Sequence, residues 1–82
     1  MLTGEQIRAA RALTRMEQAQ LAAASGISLP TIKRLEKMAG PISANTGTEA
    51  AIRQALGAAG VIFIDENGEG PGVRLRKERA AR

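Results

Sequence analysis

The chain has no cysteine, no histidine, no tryptophan and no tyrosine, and its 82 residues hold a single aromatic side chain, Phe63. Without cysteine there can be neither a disulfide nor a thiolate metal site. Without histidine the usual general base and the commonest metal ligand are missing as well. No nucleophile–base constellation can then be assembled, so an enzyme, a metal site and a cofactor are not expected. A single-strand nucleic-acid binder built on stacked rings needs more than Phe63. No apolar run nears the roughly 20 residues of a membrane span. The opening MLTGEQIRAA lacks the apolar stretch of a secretory signal. A cytoplasmic protein with no membrane partner is the expectation. A chain this short forms one small domain, which must gain its stability from regular packing or from a partner subunit.

The formal net charge is +4, and its distribution is uneven. Residues 1–73 carry Arg8, Arg11, Arg15, Lys33, Arg34, Lys37 and Arg53 against Glu5, Glu17, Glu36, Glu49, Asp65, Glu66 and Glu69, and so balance. The excess lies in Arg74, Arg76, Lys77, Arg79 and Arg82, opposed by Glu78 alone. Residues 1–45 are mildly basic. Such a balance is compatible with nucleic acid without the strong field of a general polyanion binder. Asp65, Glu66 and Glu69 lack the looped ligand pattern of a calcium site and read as turn residues.

Four helices and a hairpin are predicted. Thr3 with Gln6 forms a capping box, Leu2 can staple onto Ile7, and Ile7, Ala10 and Leu13 follow at helical spacing. The second helix covers about 17–24 and stops at Gly26, whose freedom to turn left-handed suits a helix end. Ser28 caps the third, with Pro30 in its first turn and Ile32 and Leu35 facing inward. Gly40-Pro41 breaks it. Thr46 with Glu49 predicts a capping box for a fourth helix, whose Ile52, Ala55, Leu56 and Ala59 share a face. VIFID at 61–65 and VRLR at 73–76 read as two strands joined by a turn-rich segment. The organisation expected is a helical domain over 1–60, a β-hairpin extension over 61–76 and a basic, disordered tail over 77–82.

The segment from Gln18 to Glu36 places two short helices around a glycine turn and presents the second outward, the width that fits the major groove. Gln18, Leu21-Ala22, Gly26-Ile27-Ser28, Thr31-Ile32 and Leu35-Glu36 together resemble the Cro/cI-type, or XRE-family, helix-turn-helix over residues 3–37. The resemblance implies a mainly α, lambda-repressor-like four-helix domain and a bacterial-type transcription regulator. It implies that Gln18 meets a DNA phosphate and that Ser28 caps the recognition helix and touches backbone. Thr31, Lys33, Arg34 and Lys37 then carry the contacts to double-stranded DNA. It also implies an internal salt bridge between Arg11 and Glu36.

Leu29 and Pro30 stand where the family often places polar base readers. They can touch a thymine methyl but cannot read guanine. The same two residues would suit a protein groove, which makes an anti-activator that binds another transcription regulator an alternative to an operator-binding repressor or activator. An antitoxin-like regulator is a third reading. In the hairpin, Val61 and Phe63 point one way and Ile62 and Ile64 the other. One pair is expected on helix four, and the other, Ile62 and Ile64, in a homodimer interface.

Overall fold

The computed structural model describes residues 1–77; of the tail expected over 77–82, all but Lys77 lies outside the described residues. Among them the elements are α1 (Gly4–Thr14), α2 (Gln18–Ser25), α3 (Leu29–Glu36), α4 (Thr46–Ala58), β1 (Val61–Ile64) and β2 (Gly72–Leu75). The fold is mainly α, with one antiparallel two-stranded sheet. No helix among the described residues is long and apolar enough to cross a membrane.

Local chemistry sets each helix start. Thr3 Oγ1 accepts from the Gln6 amide at 3.0 Å and Gln6 Oε1 accepts from the Thr3 amide at 2.9 Å, a complete reciprocal cap. At the head of α2, Gln20 Oε1 accepts from the Glu17 amide at 2.7 Å. Ser28 caps α3 through the Thr31 amide, and Pro30 lies in the first turn, where a missing N–H costs little. The fourth start differs from the expected Thr46–Glu49 box. Asn45 is the cap, its Oδ1 accepting from the Thr48 amide at 2.7 Å. Glu49 is drawn elsewhere: it accepts from the Leu2 amide at 3.1 Å and pairs with Arg53 at 3.2 Å. The ends are equally local. Gly26 ends α2 at φ 75°, whereas α1 ends on Arg15 at φ 55°, a left-handed cap made without glycine.

One core unites helices and hairpin. Leu2, Ile7, Ala10, Leu21, Ile32, Leu35, Ile52, Leu56 and Val61 are buried together, and Phe63, Val73 and Leu75 pack against them. Each fully buried Leu or Ile contributes roughly 1.5–3 kcal/mol of transfer free energy. β1 and β2 pair Val61 with Leu75, Ile62 with Arg74, Phe63 with Val73 and Ile64 with Gly72. Alternation therefore turns Val61, Phe63, Val73 and Leu75 inward. The hairpin leans on α1 as well as on α4. Gln6 explains why: beyond its capping role, its Nε2 donates to the carbonyls of Gly72 at 3.0 Å and Ile64 at 3.3 Å. Arg53 of α4 lies 5.1 Å above the Phe63 ring and reaches Asp65 at 3.7 Å. Ile62 and Ile64, on the other face, are half-buried within the single chain.

A second feature positions α3. Residues 39–42 return alongside the start of the chain: Gly4 N–H donates to Gly40 O at 3.2 Å, Ile42 N–H to Leu2 O at 2.9 Å, and Thr3 bridges Pro41. Glu5 Oε1 accepts from the Gly40 amide at 3.0 Å. Hydrogen bonds from its own backbone amide and that of Gly40, helped by the charge of Arg8, hold the Glu5 carboxyl below the ordinary carboxylate range.

Candidate nucleic-acid interface

Residues 26–28 link α2 to α3, the two helices pack on each other, and the buried residues Ile32, Leu35 and Glu36 fix which side of α3 faces out. Pro30, Lys33, Arg34 and Lys37 are the exposed side chains of that outward side. Their spacing of three and four residues makes them one continuous surface. Ion pairs among the described residues engage Arg11 and Arg53, and none engages Lys33, Arg34 or Lys37.

Below this surface Glu36 is buried, at 3% exposure, and its carboxylate is the node that joins three helices. Arg11 of α1 grips it with both arms of the fork, Nε to Oε2 at 2.5 Å and an Nη to Oε1 at 2.8 Å. Gln18 of α2 adds Nε2 to Oε1 at 3.0 Å. The same Arg11 donates to Met16 O at 3.0 Å, bracing the α1–α2 corner. The hydrogen bonds to Glu36 push the Arg11 guanidinium above its ordinary value against the opposing effect of burial. A buried carboxylate needs such full pairing, because an unpaired one costs several kcal/mol. Arg8, one turn earlier on α1, donates to the Glu36 main-chain carbonyl at the end of α3.

Together Arg8, Arg11, Gln18, Lys33, Glu36 and Lys37 line an open concavity of about 400 Å³. Arg11 and Glu36 neutralise each other within it, so the cationic excess comes from Arg8, Lys33 and Lys37. A concavity with several donors and net positive charge favours a phosphate-bearing ligand.

The residues expected to meet DNA fall into two groups. Gln18, Lys33 and Lys37 share the concavity. Ser28, Leu29, Pro30 and Thr31 form the head of α3, and Arg34 lies between the groups. Several have internal partners. One N–H of the Gln18 amide is committed to Glu36, so a phosphate there must use the remaining one. Thr31 Oγ1 accepts from the Ser28 hydroxyl at 2.9 Å. Leu29 is half-buried and Pro30 is exposed, so the apolar head of α3 is narrower than two fully open side chains would make it. Arg8 was not singled out from the sequence; its spacing of three from Arg11 on α1 was the available signal. Neither a known family model nor a curated protein matches this chain.

Proposed function

We propose that this chain is a small transcription regulator that binds double-stranded operator DNA through α3, as a homodimer. In this reading α2 and α3 are a Cro/cI-type helix-turn-helix. The observation that carries it is the outward side of α3, where Lys33, Arg34 and Lys37 are exposed, without ion-pair partners among the described residues, beside a cationic concavity. Phosphate neutralisation by these side chains supplies affinity, and α3 in the major groove supplies sequence reading. The arrangement of Arg11, Glu36 and Gln18 serves to hold α3 at a fixed attitude. Two copies joined about a two-fold axis, with Ile62 and Ile64 of the hairpin in the seam, would suit a palindromic operator.

A shift assay with the chain's own upstream region at two salt concentrations tests this. Binding should weaken steeply with salt and vanish in Lys33→Glu/Arg34→Glu with the helical circular dichroism unchanged. The apolar head of α3, with Pro30 exposed, supports a second reading, an anti-activator that docks on another transcription regulator. No operator binding by folded protein, together with partner capture lost in Leu29→Ala, would favour that one.

A further inference from the structure

We propose that the groove between the start of α1 and the turn of the hairpin receives the segment Arg79–Arg82 of a second copy of this chain. The inference rests on the dimeric reading given above and adds a second contact to the seam of Ile62 and Ile64.

Two adjoining hollows, about 490 and 430 Å³, share Thr3, Gly40 and Pro71 and form one groove. Ala9, Pro71, Gly72 and Val73 give it a floor of small apolar surfaces. Among the described residues its charged side chains are all acidic, Glu5, Asp65 and Glu66, with no lysine or arginine, and the Met1 amino group is the opposing charge. Met1, 77% exposed, stands at its rim as the more exposed of the two large apolar side chains left open among the described residues. An occupant that matches is short, small and apolar in the middle and cationic at both ends. The sequence carries this pattern twice; the copy at Arg8, Ala9, Ala10 and Arg11 is built into α1, with Ala10 in the core and Arg11 on Glu36, which leaves Arg79-Ala80-Ala81-Arg82. Two alanines fit the floor, and two arginines meet the carboxylates of the rim by charge-assisted hydrogen bonds.

The geometry of the hairpin favours a second copy over the chain's own segment. β2 runs away from the groove, from Gly72 to Leu75. Arg76 is then pinned at the far end, its amide on Gly60 O and its guanidinium on Gly57 O, both at 2.6 Å. The five residues back to Pro71 span about 17 Å of extended strand. A chain that had to reverse at Lys77 would need its remaining residues almost fully stretched to bring both arginines to the rim. Two hairpins lying antiparallel about a two-fold axis meet no such difficulty. The open end of each then lies beside the turn of the other, and the two groove contacts are made reciprocally.

Because the chain has no cysteine, introduced thiols report this contact cleanly. Ala9→Cys and Ala81→Cys variants of the full chain, mixed and oxidised, should give the mixed disulfide-linked pair as the main product. An Ala23→Cys control on the exposed side of α2 should give only background with Ala81→Cys. Glu66→Lys placed in the Ala9→Cys chain should cut the yield, and Arg79→Glu/Arg82→Glu should weaken the dimer seen by light scattering. No excess over the control, or a linkage formed only within the Ala9→Cys/Ala81→Cys chain at every concentration, overturns the proposal. If unmodified protein is dimeric while the cross-link fails, the exchange is wrong and the dimer stands. If it is monomeric throughout, the dimeric reading itself has failed.

Discussion

Gly4 opens α1 against the last turn of α3, and no larger residue fits there. A methyl group at this position would lie 2.8 Å from the Leu35 carbonyl oxygen and closer still to that of Met38. Both obstacles are backbone, so relief requires α1 and α3 to separate. Gly4→Ala is therefore expected to destabilise the fold by about 1–3 kcal/mol, as over-packed sites do, despite alanine's better helix propensity. A denaturant midpoint equal to or above that of the parent would contradict the close approach. Arg11 poses the complementary case. Arg11→Ala leaves the Glu36 carboxylate buried with only Gln18 beside it, at an expected cost of about 3 kcal/mol. Arg11→Lys should recover only part of that, because an ammonium cannot grip both oxygens in the same plane. Urea unfolding of the three proteins gives the order parent, lysine, alanine if Glu36 depends on the fork. Of these two residues the family resemblance pointed to Arg11. Gly4 carried no signal, since a close approach between distant segments leaves no mark on its neighbours in sequence.

At the scale of elements, the hairpin depends on one side chain of α1. A two-stranded ribbon is marginal by itself, and Gln6 ties this one down through two carbonyls while still closing the α1 cap. Gln6→Glu keeps the acceptor for the Thr3 amide but turns a carboxylate toward the Ile64 and Gly72 carbonyl oxygens. The expected outcome is a loss of about 2 kcal/mol, with hydrogen exchange accelerating over 61–75 before it does in α2 and α3. Uniform acceleration would mean the hairpin is held by its apolar face alone. The Thr3–Gln6 cap was legible because both halves lie within four residues. The hairpin anchor was not, because Gln6 already had a sufficient local explanation. The start of α4 shows the opposite failure. Thr46 and Glu49 match a capping pattern, yet Asn45 competes one residue earlier, and Glu49 gains more from the Leu2 amide and Arg53. Tertiary partners decided between two local patterns of similar merit.

The molecule as a whole separates its charges. Cations without ion-pair partners among the described residues gather where α1, α2 and α3 meet, an acidic groove lies between the start of α1 and the hairpin turn, and the basic excess of the sequence begins in β2 at Arg74. Patterning revealed the α3 surface, but Arg8 joined it only through the packing of α1 on the end of α3. If Arg8 touches a phosphate, Arg8→Ala should weaken binding about equally on all sequences and lower the salt slope by about 1. The most direct test of the central claim is an equilibrium titration of the folded chain with duplex from its own upstream region, followed by fluorescence anisotropy from about 50 to 200 mM salt. The account predicts that the logarithm of the binding constant falls linearly with that of salt and that Lys33→Glu/Arg34→Glu abolishes binding. Absence of binding at the lowest salt, or equal binding by that variant, would contradict it.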